Sequence, residues 1–215
     1  VLLSTLLFGS LLAGCGQHGI RNPLQTRPDV VLGEMPKVEK KSVHSKIAWR
    51  YRTTSGGGYF NKIRPEVDGD RVYQADRFGH IVAISKTKGS TIWRQNTPYP
   101  IASGPKLIGT KLLVGTKDGR VIAFDPQHGK ENWQAKVPSE VLAPPQGNEK
   151  LVLVNTNDGQ LIALDAQTGQ TLWQYEKTTP TLMLRGGSSP AWSQDYALTG
   201  FANGKFSALS LSDGT

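Results

Sequence analysis

Short apolar runs separated by glycine-containing turns make up most of the chain after residue 45. The runs Leu112-Leu113-Val114 and Leu151-Val152-Leu153-Val154 are typical, and each is soon followed by an Asp-Gly pair, Asp118-Gly119 or Asp158-Gly159. Runs of this length, rich in β-formers and bounded by turn residues, predict β-strands. The Asp-Gly pairs predict two-residue hairpins with type I′ turns, in which both central residues have positive φ.

Five marker positions keep a fixed spacing through four copies of this pattern. In each copy a proline is followed by a glycine, an alanine, a second glycine and, in the first three copies, a tryptophan. The members are Pro65, Pro105, Pro145 and Pro190; Gly79, Gly119, Gly159 and Gly204; Ala83, Ala123, Ala163 and Ala208; Gly89, Gly129, Gly169 and Gly214; and Trp93, Trp133 and Trp173. A period of about 40 residues predicts stacked supersecondary units.

Each copy has room for four strands, and four-stranded units of about 40 residues repeated around an axis are the blades of a β-propeller. The predicted fold class is therefore all-β, with about four blades in residues 46–215. The repeated alanine suits a crowded position between neighbouring sheets. The tryptophan is large enough to cover the joint between two blades.

The segment before the first copy leaves two interpretations open. Residues 47–52 resemble the last strand of a blade, with Trp49 at its tryptophan position but with no earlier strands before it. This strand could pair with the fourth copy and close a four-blade ring, which would remove an open sheet edge. Alternatively, the chain is cut in mid-repeat and belongs to a larger ring. We favour the second interpretation, because the N-terminus also looks clipped.

The N-terminal residues predict a targeting signal rather than a fold. Residues 1–13 are uncharged and mostly apolar, too few to span a bilayer, and no basic segment precedes them. Leu12-Ala13-Gly14-Cys15 resembles a bacterial lipobox, so residues 1–14 are expected to be a signal peptide and Cys15 the lipidated residue; an ordinary free cysteine is the alternative. Residues 15–45 would then be the lipidated end and a flexible tether, since prolines and charges interrupt any apolar period.

Composition narrows the class of partner only slightly. The chain has 25 Lys and Arg against 17 Asp and Glu, a formal charge of +8, and one cysteine among 215 residues. A basic balance favours anionic partners on encounter. However, the basic residues are scattered through turns and tether, and a secreted chain does not meet nucleic acid, so no nucleic-acid partner is expected. A single cysteine excludes a disulfide framework and a cysteine-rich metal site.

The repeat also carries a resemblance. Residues 123–133 (AFDPQHGKENW) and 163–173 (ALDAQTGQTLW) look like the tryptophan-docking repeat of quinoprotein-type propellers, although Ser85 and Ser210 replace its aspartate in two copies. Together with the lipobox and tether, the chain resembles the propeller lipoproteins of the outer-membrane β-barrel assembly machinery. This resemblance implies eight blades, a lipid anchor on the periplasmic face of a Gram-negative outer membrane, and no cofactor. The implied partners are the barrel-inserting subunit with its periplasmic domains, and unfolded outer-membrane proteins.

One connection between copies is longer than the others. The proline marker of the next copy follows Trp93 and Trp133 after 12 residues, whereas Pro190 follows Trp173 after 17, and the additional five lie within residues 177–189. Loops of a propeller run over its surface and carry much of its function. The resemblance assigns partner binding to four residues of a Leu-x-Leu-Arg-Gly motif, with two apolar anchors, a charge-assisted hydrogen bond and a turn. They are Leu182, Leu184, Arg185 and Gly186. The alternative is that both leucines fold inward and fill a local gap.

Two other functions remain as alternatives. Quinoprotein dehydrogenases share the repeat, but by resemblance they add vicinal cysteines and a calcium-ligand cluster, and here Cys15 belongs to the lipobox. Asp125 and Asp165 occupy one repeat position, so we expect them to cap turns rather than to bind a metal. The four histidines lack the spacing of a metal site and are expected to be ordinary surface residues; they are His18, His44, His80 and His128. We therefore expect no enzyme. A periplasmic propeller that binds a ligand on its face is the third possibility.

Overall fold

The computed structural model describes residues 46–53, 62–176 and 186–215, and the secondary structure of these residues consists of sixteen β-strands. The predicted signal peptide, Cys15 and the tether lie outside the described residues. Fifteen of the strands build four antiparallel sheets in chain order, as the repeat predicts. The all-β class and the blade organisation are therefore confirmed.

Three sheets have four strands in the order of the chain, and the fourth has three. Blade I contains β2 (Glu66–Asp68), β3 (Arg71–Ala75), β4 (His80–Ser85) and β5 (Thr91–Asn96). Blade II contains β6 (Ile101–Ile108), β7 (Lys111–Thr116), β8 (Arg120–Phe124) and β9 (Glu131–Lys136). Blade III contains β10 (Gln146–Gly147), β11 (Leu151–Asn155), β12 (Gln160–Asp165) and β13 (Thr171–Glu176). Blade IV contains β14 (Ala191–Trp192), β15 (Tyr196–Gly200) and β16 (Phe206–Ser210).

The remaining strand, β1 (Lys62–Ile63), pairs in parallel with β6, so it adds a fifth strand to the sheet of blade II. The Lys106 ammonium and the Glu66 carboxylate form an ion pair of 2.8 Å beside it. This short segment therefore ties the beginning of blade I to the first strand of blade II.

Each tryptophan docks on the following blade in the same way. A Cβ atom built at Gly129 would lie 2.5 Å from Cε3 of Trp93, so the indole fills the space that the absent side chain leaves. Gly169 and Trp133 repeat this contact, also at 2.5 Å. Each indole N–H then donates to the carbonyl oxygen three residues before the glycine. The four bonds run from Trp49 to Lys86 (2.6 Å), Trp93 to Pro126 (3.0 Å), Trp133 to Ala166 (3.1 Å) and Trp173 to Leu211 (2.9 Å).

The core consists of layers between adjacent blades. One apolar cluster joins blades I and II around Tyr73 and Phe124, a second joins blades II and III around Leu113 and Leu164, and a third joins blades III and IV. The alanines at positions 83, 123 and 163 are fully buried, and each pairs with the tryptophan of its own blade. The predicted roles of alanine and tryptophan are confirmed for these three blades. Ala208 of the three-stranded blade is exposed.

The segment at residues 46–53 forms no strand and joins no sheet of the described residues. The closed four-blade ring, in which this segment would complete blade IV, is therefore not formed. Trp49 instead docks on Gly89 of blade I, where the tryptophan of a preceding blade would dock. The indole contact is therefore present, although the strand pairing of this segment with blade IV is absent.

The predicted type I′ turns are wrong, because no residue other than glycine has positive φ in the described part of the chain. Thr116 and Arg120 instead flank a three-residue connection in which Gly119 has φ of +75°. The side chain before the turn explains the difference. Thr116 Oγ1 accepts the N–H group of Arg120 at 2.9 Å, and Thr156 Oγ1 accepts that of Gln160 at 3.3 Å, so these hydroxyls stabilise the longer turn.

We predict that Gly169→Ala destabilises the protein by ~1–3 kcal/mol more than Gly204→Ala. Both glycines have φ near +75°, and so both variants carry the strain of a left-handed alanine. Only at Gly169 does the new methyl group clash with an indole, whereas nothing lies within 4 Å at Gly204. Urea unfolding of the two variants measures the difference. Equal destabilisation would show that the indole contact does not hold the blades together.

Candidate functional site

The connections between blades and the hairpins within them meet on one face, which we call the hairpin face. Here the connections after β5 and β9, and residues 186–190 before β14, lie beside the hairpins β3–β4, β7–β8, β11–β12 and β15–β16. Backbone bonds join them: the Lys117 N–H donates to the Pro100 oxygen and the Asn157 N–H to the Glu140 oxygen, both at 2.9 Å. The long connection of residues 177–189 follows β13 and therefore reaches this face at its C-terminal end.

The predicted partner-binding residues are only partly described. Leu182, Leu184 and Arg185 lie outside the described residues, as does Cys15. Gly186 is exposed, and its φ of +142° is a backbone conformation that favours glycine. A Cβ atom built on Gly186 would meet nothing within 4 Å, so the conformation and not crowding calls for glycine here.

Hydrogen bonds attach Gly186, the last residue of the motif, and Ser188 to blades III and IV. The Gly186 N–H donates to Asn157 Oδ1 at 3.2 Å. The Ser188 carbonyl accepts from Asn155 Nδ2 at 2.8 Å, and the Ser188 hydroxyl donates to the Gly200 oxygen at 3.2 Å. Sequence reasoning missed both asparagines. Their only signal is that they break the repeat, since the equivalent residues are of other types. Those residues are Ala75 and Gly115 for Asn155, and Arg77 and Lys117 for Asn157.

A cavity of about 30 Å³ lies beside these bonds, between blades III and IV. Asn155, Gln160, Gly186 and Phe201 are among its lining residues. The Gln160 side chain donates from Nε2 to Asp158 Oδ2 at 3.1 Å, while its buried Oε1 has no hydrogen-bond partner among the described residues. A cavity of this size has room for about one water molecule, which could donate to that oxygen.

On the part of the hairpin face that blades I and II form, arginine guanidinium groups lie over aromatic rings. Arg77 lies 4.7 Å from the ring centre of Phe78, which is 55% exposed, and Arg120 lies 4.3 Å from that of Tyr99. Arg120 also pairs with Asp118 at 3.0 Å. Burial raises the pKa of Asp118, but hydrogen bonds from Thr116 and Arg120 together outweigh it and hold that pKa below its ordinary value. The carboxylate is therefore charged at neutral pH and fixes the arginine.

The residues considered for catalysis or metal binding serve the turns. Asp125 accepts the Gln127 N–H at 2.9 Å, and this bond contributes most to the lowered pKa of Asp125. Asp165 accepts the hydroxyl and the N–H of Thr168 at 2.8 and 2.7 Å, and the hydroxyl bond contributes most to its lowered pKa. Turn capping by both aspartates is therefore confirmed.

The two described histidines bond to turn carboxylates. The His80 and His128 rings contact Asp76 and Asp125 at 2.8 and 2.6 Å through Nδ1. His18 and His44 lie outside the described residues. Over residues 46–53, 62–176 and 186–215, no group of three or more His, Cys, Asp or Glu side chains could hold a metal ion. The same part of the chain has no helix long and apolar enough to cross a membrane.

Comparison with known proteins shows what the chain resembles. The family model described as outer membrane protein assembly factor BamB matches residues 44–107 and 77–215. The BamB protein of Pseudomonas aeruginosa is 52% identical over 186 residues, which cover 84% of this chain and 49% of that protein. The chain thus spans about half the length of this relative.

Solved structures agree. The crystal structure of BamB from Moraxella catarrhalis superimposes with a TM-score of 0.64 and 30% identity over 72% of this chain and 46% of that one. The quinohemoprotein alcohol dehydrogenase of Comamonas testosteroni has a TM-score of 0.59 at 16% identity, covering 72% of this chain and 34% of that one. This second likeness concerns the fold alone.

Proposed function

The chain belongs to the family of the outer membrane protein assembly factor BamB, and from this membership we propose that it is a non-enzymatic scaffold subunit of the machinery that assembles outer-membrane proteins. The observation that carries the proposal is the family match over residues 44–215, which includes every described blade. The arrangement of the blades supports a scaffold role. The same indole contact fixes each blade to the next, and the described connections between blades lie on one face.

The proposed partner is the barrel-inserting subunit of the machinery (BamA), bound through its periplasmic domains. Residues 177–189 supply the contact: Leu182 and Leu184 as apolar anchors, Arg185 as the donor of a charge-assisted hydrogen bond, and Gly186 as a turn. What supports this assignment is the match to the family's motif together with the position of Gly186 on the hairpin face.

A catalytic role is disfavoured by the way the candidate side chains are used. Asp125 and Asp165 cap turns, and the rings of His80 and His128 bond to turn carboxylates. These groups serve the blade hairpins, so they do not converge on one substrate. The dehydrogenase neighbours share the fold at an identity too low to carry an activity.

The first prediction concerns the partner. In the full-length chain, Leu184→Ala combined with Arg185→Ala should weaken binding to the periplasmic domains of the barrel-inserting subunit by ~1–3 kcal/mol, with no change in thermal stability. Titration calorimetry measures the affinity. The control is Val141→Ala in the shorter connection after β9, where the valine is fully buried. It should lower the free energy of unfolding by ~2 kcal/mol and leave the affinity of the folded protein unchanged.

If the double variant binds as well as the unaltered protein, the docking assignment is wrong. If it unfolds as readily as the Val141 variant, Leu184 fills a gap in the core rather than contacts a partner.

The second prediction concerns client proteins. We propose that the outermost strands of the blades, β5, β9 and β13, offer their edges to extended segments of unfolded outer-membrane proteins. Leu172 on β13 is 53% exposed. A photo-crosslinking residue at position 172 of the full-length protein should therefore capture unfolded clients, while one at the buried Leu164 should not. Without crosslinks at position 172, the function is restricted to scaffolding.

The third prediction concerns the anchor. We propose that Cys15 carries acyl chains that hold the protein on the periplasmic face of the outer membrane of a Gram-negative bacterium, with residues 1–14 removed and residues 15–45 as a tether to the propeller at residues 46–215. Each buried methylene contributes ~0.8 kcal/mol, so two or more chains anchor a protein stably. In cells, Cys15→Ser should move the protein from the outer-membrane fraction to the soluble periplasmic fraction. Retention of that variant in the membrane would contradict the anchor.

A further inference from the structure

Blade III differs from blades I and II at two positions of the hairpin face. It has Asn155 and Asn157 where the other blades have neither an amide nor any residue in common. The equivalents, 40 and 80 positions earlier, are Gly115 and Ala75 for Asn155, and Lys117 and Arg77 for Asn157. Blade III is also the blade that the long connection follows. The asparagine pair and the long connection, which are both departures from the repeat, therefore occur at the same blade.

Asn157 keeps the backbone contact of its equivalent Lys117 and adds a side-chain contact to the long connection. Its N–H donates to the Glu140 oxygen at 2.9 Å, as the N–H of Lys117 does to Pro100. Its side-chain Oδ1 accepts the Gly186 N–H at 3.2 Å, while Nδ2 lies 3.4 Å from Glu140 Oε2. The Glu140 carboxylate thus orients the amide so that its oxygen is directed to Gly186.

Asn155 makes the second attachment from a buried position. It is 8% exposed and forms a reciprocal pair with Thr199, whose hydroxyl accepts from Nδ2 at 2.8 Å and donates to Oδ1 at 3.0 Å. The same Nδ2 group donates to the Ser188 carbonyl at 2.8 Å. A buried amide held at both ends has one orientation, so it fixes the place of Ser188 between blades III and IV.

We propose that Asn155 and Asn157 are positioning residues for partner docking: they hold Gly186–Ser188 in place, so that Gly186, the last residue of the partner-binding motif, has a fixed position before the partner binds. The inference rests on the proposed function of that motif. Neither asparagine needs to touch the partner. Their contribution is preorganisation, because backbone that is ordered before binding does not lose its freedom on binding.

The main test uses Asn157→Ala in the full-length protein. Losing one hydrogen bond to the backbone should weaken binding to the periplasmic domains of the barrel-inserting subunit about three- to tenfold. Hydrogen exchange at the Gly186 amide should become faster, while the melting temperature stays the same because the side chain is only half-buried. In Asn157→Asp combined with Glu140→Gln, the side chain at position 140 becomes the hydrogen-bond donor and the side chain at position 157 the acceptor. An oxygen at position 157 still faces the Gly186 N–H. This double variant should restore both the affinity and the slow exchange.

A matched pair tests Asn155. Asn155→Ala and Thr199→Val both break the buried pair and should both lower the melting temperature. Only Asn155→Ala also removes the bond to Ser188, so only this variant should weaken partner binding. Equal affinities of the two variants would mean that Asn155 merely stabilises the fold, and the proposal would fail for this residue.

The variant Leu184→Ala/Arg185→Ala separates the possible outcomes. If it weakens binding while Asn157→Ala speeds exchange without affecting affinity, the proposed function stands and the positioning role is overturned. If Asn157→Ala leaves the exchange of the Gly186 amide unchanged, the attachment itself is overturned. If no variant affects binding, the proposed function fails and the positioning role fails with it.

Discussion

The contact of an indole with the empty side-chain position of a glycine in the next blade is the constraint on which the whole structure depends. A single blade of a repeat protein cannot bury its apolar faces alone, so each blade needs its neighbour. The docked indole supplies apolar area, and its N–H donates to a carbonyl oxygen of the next blade, which fixes the orientation of the ring. Because the same contact recurs at every described joint, each blade takes the same position relative to the one before it.

Because the blades are so regular, the connections between them are where the chain differs most from copy to copy. The connection after β9 turns its apolar residues inward, with Val141 and Leu142 almost completely buried, and so contributes to the core. The connection after β13 starts from the same kind of strand end but is five residues longer, and its C-terminal end is attached by side-chain hydrogen bonds. A rigid set of blades gives such a segment a defined position, which a flexible support could not provide.

Most of the fold could be predicted from sequence because its determinants are local or periodic. The markers Gly129 and Trp133 have equivalents at the same spacing in the first and third copies, and the contacts they make are the same each time. The turn type was mispredicted because an Asp-Gly pair was considered without the residue before the turn, where Thr116 Oγ1 accepts the Arg120 N–H at 2.9 Å. Asn155 and Asn157 were missed for another reason: their partners lie 29 to 44 residues away, so only the placement of blade IV against blade III reveals them.

The attachment of Gly186–Ser188 also explains how a longer connection can serve binding rather than oppose it. Lengthening a loop by a few residues adds only tenths of a kcal/mol to the entropy of closing it. The larger cost arises when a partner orders the backbone, at about 1–2 kcal/mol for each residue fixed. Two asparagines that fix three of these residues beforehand reduce that cost without enlarging the contact area. A polar attachment suits this task better than an apolar one, because hydrogen bonds to backbone groups fix orientation as well as position. In the proposed docking, the leucines of the motif then contact the partner.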